Sequence, residues 1–278
     1  MPKKEQIRKM FDDIAPGYDA FNHLGSLGID KCWRRRALRE LPKPVEAGSG
    51  AVPAASPATG SAAVYRVLDI ACGTGDFCIA AAKYLSKRLR RTARATGHGR
   101  LPDSVIGHRS EPETPAFQII GADISTGMLA VMSDKVAAAG LQELVSVEEG
   151  DCASLQFSDG SFDAVTVAFG VRNFEDRELC LAEILRVLKP GGRFIMLELG
   201  VPSCRPVAWL YRIYFTKILP LLGGKMSGNR RAYEYLPASV LAFPGKREWL
   251  ATLAAAGFRN CRHRALSFGI CRLYIASK

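Results

Sequence analysis

Residues 67–77 read VLDIACGTGDF. A short aliphatic run carries Asp69 near its end, and two glycines follow, split by Thr74. A run of this kind, 65–70, suits a buried strand, and glycines just past a strand let the backbone turn tightly and approach a ligand. The next stretch, 76–85, has small apolar residues at its centre and reads as a helix. Strand, glycine turn and helix in that order form the corner of an open α/β sheet at which ligands bind, beyond the carboxyl ends of the strands.

The alternation continues outward from this corner. Residues 117–122 (FQIIGA) make a second buried strand ending at Asp123, and 125–139 a helix. A third strand, 145–148, leads to Gly150-Asp151-Cys152, and 162–169 (FDAVTVAF) is a fourth. The helix expected over 175–187 offers Leu179, Ala182, Ile184, Leu185 and Leu188 as core positions. LKPGG at 188–192 stops it with proline and glycine, and 194–199 is a fifth strand. Strands alternating with helices predict a doubly wound, mostly parallel α/β sheet, Rossmann-like, in one domain over 1–278. Two stretches stand outside the pattern. Residues 42–63, rich in Pro, Ala, Gly and Ser, read as a flexible insertion, and 86–115, basic and then irregular, as a loop or disordered insertion.

Composition narrows the class. The chain has 278 residues, 48% hydrophobic and 23% charged, and no apolar run of the roughly 18–20 residues that span a bilayer. Its first residues, MPKKEQIRKMFDDIA, have no apolar signal core, so the expected location is cytoplasmic, in a bacterium. The eight cysteines form no CxxC pair and the four histidines do not cluster with them, so no metal is expected. Residues 1–199 balance 25 basic against 25 acidic side chains; residues 200–278 set 13 Lys and Arg against Glu234 and Glu248, and hold the whole excess of +11. Taken by charge alone such a segment can meet nucleic acid, an anionic membrane face or only water, and a solvated face is the ordinary case.

The turn itself separates two cofactor classes. A dinucleotide asks for G-x-G-x-x-G, and here Cys78 stands at the third glycine position. Asp69 and Asp76 flank the turn; they would repel a pyrophosphate and welcome a cation. S-adenosylmethionine carries a sulfonium and an ammonium. Asp123 is placed for its ribose hydroxyls, although 48 residues after Gly75 rather than about 20; removing the 86–115 insertion restores ordinary spacing. Asp151 is placed for the adenine amino group. Any one acid reads equally well as a helix cap, but three at successive strand ends favour the cofactor. With Gly73, Thr74 and Gly75, and with Cys152 and Ala168 beside them, these acids make the expected cofactor set. The expected fold is that of the class I S-adenosylmethionine-dependent methyltransferases.

Three further stretches resemble one family, the menaquinone/ubiquinone biosynthesis C-methyltransferases: YDAFNHLGSLGIDKCW at 18–33, AFGVRNF at 168–174 and RVLKPGGRFIMLELG at 186–200. Departures are Phe21, Gly25 and Asp30, where the family commonly has Met, an aliphatic residue and His, and Gly200 in place of Ser. The resemblance implies methylation of a ring carbon of a prenylated hydroquinone, demethylmenaquinol, with a polyprenyl-benzoquinol of ubiquinone biosynthesis or another small aromatic as the alternative. It puts Arg172, Asn173, Tyr18 and His23 forward as catalytic: Arg172 to stabilise an oxyanion, Asn173 to orient a ring hydroxyl, Tyr18 to close the pocket, His23 as a base.

Residues 1–41 are then a segment capping the substrate. Residues 203–245, with VAWLYRIYFTKILPLL at 207–222, are a basic and apolar lid or membrane-facing segment, giving peripheral contact at the inner face of the cell membrane. Rival readings are a methyltransferase for a soluble small molecule, a non-catalytic cofactor-binding protein in a quinone-pathway assembly, and an NAD-dependent dehydrogenase. Nucleic acid is not an expected partner, since neither an NPPY-like motif nor a recognised RNA-binding module is present.

Overall fold

The computed structural model describes residues 3–43, 64–95, 116–218 and 230–278. Three N-terminal helices, α1 (Lys4–Ile14), α2 (Tyr18–Gly25) and α3 (Asp30–Leu38), precede β1 (Tyr65–Ile70). Then come α4 (Asp76–Ala95), β2 (Phe117–Asp123), α5 (Thr126–Ala138), β3 (Val145–Glu149), β4 (Phe162–Ala168), α6 (Arg177–Val187) and β5 (Leu188–Leu199). The chain ends with α7 (Arg205–Ile213), α8 (Arg230–Leu241), α9 (Lys246–Ala255), β6 (Arg259–Leu266) and β7 (Cys271–Ser277).

The strand order is β3-β2-β1-β4-β5-β7-β6, with β7 antiparallel to both neighbours and the other pairs parallel. After β3 the chain crosses to the far side of β1, so the strand order reverses between β1 and β4. Parallel strands covered on both faces bury nearly every side chain, and Val67, Leu68, Ala164 and Val165 are fully buried. One face packs on α3, α4 and α5 through Leu38, Ala81, Leu85, Met132 and Val136. The other packs on α6 and α9 through Leu181, Ile184, Trp249 and Leu253. A smaller cluster of Ile14, Phe21, Met128, Tyr211, Phe215 and Val240 joins the N-terminal helices to α7 and α8.

Four expectations are corrected. The basic stretch from residue 86 is helical as far as Ala95. Its Lys, Arg and Ala residues are good helix formers, and Leu89 extends the packing of Leu85 by one turn. The rest of that insertion, 96–115, and residues 44–63 of the other lie outside the described residues. In α6, Asp176 caps the first turn by accepting from Leu179 N at 2.9 Å. That cap sets the helix so that Cys180, Leu181, Ile184 and Val187 face the core, while Leu179, 48% exposed, and Ala182 face solvent. LKPGG does follow the end of α6, but it belongs to β5. Phe162 pairs with Leu188 and Ala164 with Arg193, so residues 189–192 bulge out between the two pairings. Finally, the sheet has seven strands rather than five. β6, with the sequence RNCRHRAL, is a charged, half-exposed edge that carries no apolar alternation, and charge on an edge strand blocks pairing with other chains.

Candidate active site

Two adjoining cavities open where the strand order reverses, one of about 400 Å³ and one of about 250 Å³. Tyr18, Ala71, Gly73, Ala168 and Phe169 line both and form the waist between them. The backbone is strained here. Ala71 (φ 52°) and Phe169 (φ 67°), the residues just after β1 and β4, both lie in the left-handed region, at a cost of about 1 kcal/mol or more each. Gly170 lets the two strand ends approach, since a Cβ there would stand 2.6 Å from Ala71 Cβ. Strain held by surrounding structure is common at reactive sites. Within the glycine turn, Gly73 lines both cavities with φ 55°. Gly75 lines neither; its φ is 78° and a Cβ would meet Met132 Cγ at 2.4 Å, so packing requires it.

The smaller cavity is acidic. Asp123, Asp151, Glu175 and Asp176 line it, against Lys4 alone among the lining lysines and arginines. Asp123 Oδ2 accepts from Gly73 N at 2.8 Å and Oδ1 from Ser125 N at 2.9 Å, which ties the end of β2 to the glycine turn. Burial raises the pKa of Asp123 above the usual carboxylate value, against those backbone donors. Burial also pushes Asp151 upward, but the Lys4 ammonium at 2.9 Å and Ala153 N outweigh it, and its pKa is lowered. Cys152 and Ala168 lie in the wall. This donor set fits a cationic nucleoside: two carboxylates at successive strand ends, a backbone turn between them, and excess negative charge around. Thr74 lines the larger cavity and donates to Asp19 at 2.5 Å.

Asp69 lies elsewhere. It lines neither cavity and is buried beneath the turn, where it accepts from Thr166 Oγ1 at 2.6 Å and Cys78 Sγ at 3.3 Å. Burial, against those two donors, raises its pKa to about 7. Cys78, at the missing third glycine, is thus part of the support under the turn.

The larger cavity is mostly apolar and aromatic, with Phe21, Trp33, Tyr211 and Phe215 in its wall, and its buried cation is Arg172. Arg172 follows β4 in a short 3₁₀ turn, Val171–Asn173. Its Nη1 donates to Glu198 Oε1 at 2.8 Å and to the Phe169 carbonyl, and its backbone N donates to Glu198 Oε2 at 3.1 Å. Desolvation lowers the Arg172 pKa, but Glu198 more than compensates and the net shift is upward. Asn173 faces the smaller cavity, and its Oδ1 accepts from Tyr235 at 3.0 Å. Burial raises the pKa of Tyr18, opposed by Arg172, and leaves Tyr18 a phenol and a donor.

His23 is not in either wall. Its Nδ1 lies 3.0 Å from Asp30 and its Nε2 3.6 Å from Asp76. These three could hold a metal by distance alone, but Asp30 also takes Arg34 and Asp76 takes Lys135 at 2.6 Å. The group is a charge network that latches the N-terminal helices to the glycine turn. Lys135 also reaches Asp19 at 2.5 Å, and Asp12 accepts from Ser125 Oγ at 2.6 Å and Gly127 N at 3.0 Å. Sequence reasoning missed Glu198, Lys4, Asp12, Asp19 and Lys135. Only Glu198 and Asp19 had a signal, each lying inside a stretch that carried the resemblance. Phe21, Gly25 and Asp30, three of the departures from the family pattern, all line the larger cavity.

A sheet of this order with an acidic cofactor cavity at its reversal point defines an S-adenosylmethionine-dependent methyltransferase. A crystal structure of a SAM-dependent methyltransferase from Thermotoga maritima has the same fold: TM-score 0.55, 15% identity, 97% of this chain and 99% of that one. The sequence narrows the class further. The chain belongs to the ubiE/COQ5 methyltransferase family, whose model matches residues 1–278. It is 40% identical over 276 residues to the demethylmenaquinone methyltransferase of Bacteroides fragilis, covering 99% of this chain and 94% of that protein. It is 39% identical over 276 residues to the ubiquinone/menaquinone biosynthesis C-methyltransferase UbiE of Geobacter sulfurreducens, covering 99% and 90%.

Proposed function

We propose that this enzyme methylates a ring carbon of demethylmenaquinol, a prenylated hydroquinone, in the larger cavity. One observation carries the reading. An apolar, aromatic cavity has a buried cation, Arg172, paired with Glu198 in its wall, while the second cation of the wall, Arg34, is spent on Asp30 and Asp76. It meets the cofactor cavity at a waist closed by Tyr18. An apolar ring with an ionisable hydroxyl fits that arrangement; a polar soluble acceptor would leave most of the wall unmatched.

Asp123, Asp151, Gly73 and Ala168 would hold the cofactor, which supplies a sulfonium methyl already activated toward an electron-rich carbon. The acceptor hydroxyl must first ionise, and a phenol titrates near pH 10. Arg172 lowers that barrier by placing guanidinium charge where the oxyanion forms. The ionised oxygen pushes its pair into the ring, the adjacent carbon takes the methyl as the carbon–sulfur pair returns to sulfur, and the proton displaced from that carbon leaves as the aromatic ring re-forms. Tyr18 at the waist excludes water and helps align ring and methyl, since much of the acceleration in such transfers comes from orientation. The oxidised quinone has no hydroxyl to ionise and does not react.

In this reading α1–α3 are the cap over both ligands, and α7 and α8 roof the acceptor. Val207, Leu210, Tyr211, Tyr214, Phe215 and Leu236 supply that roof. The mouth suits a membrane-borne tail. Leu27 and Leu210 line the cavity yet are 78% and 60% exposed, Trp209 beside them is 64% exposed, and Arg205, Arg212 and Lys217 are exposed on the same segment. Among the described residues no helix is long and apolar enough to cross a membrane. In this reading the enzyme docks on the bilayer surface through that exposed apolar and basic segment and takes the ring from it.

The test is transfer of labelled methyl to chemically reduced demethylmenaquinol beside the oxidised quinone and a polar catechol. Label on the reduced prenylated ring alone is expected; label on the catechol alone overturns the acceptor. Docking is tested by co-sedimentation with anionic vesicles. Salt-sensitive binding, weakened by Trp209→Ser, is expected, and equal partitioning into supernatant at low and high salt removes the docking claim.

A further inference from the structure

Among the described residues the two most exposed large apolar side chains are Leu27 and Phe268, the second 75% exposed. Both stand on backbone in the left-handed region, with φ 52° and 59°, a conformation that glycine adopts freely and a bulky residue rarely. Leu27 follows α2 in a Schellman motif: Gly28 N donates to the His23 carbonyl at 2.8 Å and Leu27 N to the Leu24 carbonyl at 3.0 Å. That motif ordinarily has glycine where this chain has Leu27. Phe268 is in the turn between β6 and β7, flanked by Ser267 at φ 46° and Gly269 at φ 93°. Each loop therefore loses stability by holding a large apolar side chain in water, and strain kept in this way clusters where function requires it.

The two loops meet at the larger cavity. Trp33 Nε1, on α3, donates to Ser267 Oγ at 2.9 Å. Leu27 and Ile29 from one loop and Ser267 and Ile270 from the other line the cavity, as does Leu210 of α7. Charge on these segments is one-sided. Lys31 and Arg35 on α3, Arg264 on β6 and Arg205 on α7 are exposed. Across residues 24–39, 200–218 and 259–278 the one acid is Asp30, which is buried.

We propose that Leu27 and Phe268 are a pair of bilayer wedges, entering the headgroup region of an anionic membrane and turning the mouth of the larger cavity toward it. The inference rests on the membrane-docking reading and adds two contacts, on separate segments, to the one made by α7. Three such contacts set one orientation, in which the acceptor passes from lipid to cavity without crossing water. Large apolar side chains rimmed by cations suit the interface of an anionic bilayer. A second copy of this chain is a poorer fit, because a two-fold pair sets the same basic rim against itself.

The test compares Leu27→Gly and Phe268→Gly with the wild type in the full chain. Glycine relieves the left-handed strain, so the melting temperature of each variant should hold or rise. Binding to phosphatidylglycerol vesicles, read by co-sedimentation at low salt, should weaken roughly ten-fold for each, as for withdrawing a large apolar side chain from lipid. Wild-type affinity in both variants, while Trp209→Ser binds more weakly, overturns the wedges and leaves docking through α7 standing. Lower melting temperatures in both variants show that the two side chains serve the fold, and also overturn the proposal. A wild-type dimer in sedimentation velocity that either glycine variant dissociates assigns the face to a second copy instead. If the wild type itself stays in the supernatant with these vesicles, the docking reading has failed and the wedges fall with it.

Discussion

The ion pair under the acceptor cavity sets a stability prediction that can be worked through. Glu198 is 1% exposed and accepts three hydrogen bonds: from Arg172 Nη1 at 2.8 Å, Leu199 N at 2.9 Å and Arg172 N at 3.1 Å. Glu198→Gln keeps the shape, but its one oxygen serves either Leu199 N or Arg172 N and not both, and it leaves a buried guanidinium with no counter-charge. Breaking a buried pair from one side costs about 3–5 kcal/mol. That loss corresponds to roughly 6–20 °C in melting temperature for a chain of this size. Arg172→Met combined with Glu198→Gln removes the stranded charge, and the double variant should be more stable than Glu198→Gln alone. Thermal melts and urea titrations of wild type, both singles and the double read this directly. A Glu198→Gln protein that melts with the wild type, or a double variant whose loss equals the sum of the singles, would refute the pairing argument.

Three other perturbations follow from the same geometry. Asp69 is protonated in the folded protein up to about pH 7 but ionises near 3.9 when unfolded. Its burial therefore costs increasing stability from about pH 4 to about pH 7 and a constant amount above; Asp69→Asn should gain on the wild type across that window, and parallel melting curves from pH 5 to 8.5 would contradict it. Gly75→Ala and Gly73→Ala both carry left-handed strain, but the first also meets Met132 Cγ at 2.4 Å, whereas the second meets only Tyr18 Cε1 at 4.0 Å. The first should lose about 2–5 kcal/mol of stability and the second should mainly weaken cofactor binding; denaturant titration and calorimetry separate the two, and equal stability losses would count against the packing account. Lys135→Met unlatches Asp19 and Asp76, both half-buried. It should raise the KM for S-adenosylmethionine several-fold with a stability change under about 1 kcal/mol, and an unchanged KM would show that the latch does not govern cofactor access.

The parallel half of the sheet was readable because its strands are buried on both faces and bounded by turns. β1 announces itself by VLDI, then CGTG. The antiparallel end was not readable, because β6 is a charged edge and only β7, CRLYIAS, carries an apolar run. The site divides in the same way. Residues fixed by backbone geometry (Gly73, Asp123, Asp151, Ala168) follow from strand ends, which the sequence marks. Residues fixed by packing between distant segments do not: Tyr235 meets Asn173 across 62 positions, and Lys4 meets Asp151 across 147 positions. Asp69 shows the limit in the other direction. It sits at the expected strand position, but the side chain points into the layer beneath the turn, since alternate strand residues face opposite ways.

In the proposed reaction the pairing of Arg172 with Glu198 also bears on rate. Donors to the acceptor oxygen act on two quantities that oppose each other. They raise the ionised fraction, which for a phenol titrating near 10 is only about 10⁻³ at pH 7, and they lower the nucleophilicity of the ring by withdrawing the charge that drives attack. The gain per donor is therefore largest while the acceptor is still mostly neutral, and it falls off once ionisation is complete. A bare guanidinium in an apolar cavity would overshoot, holding the phenolate as a stable salt. Glu198, 2.8 Å from Nη1, offsets that charge and leaves Arg172 closer to a directed hydrogen-bond donor than to a free cation.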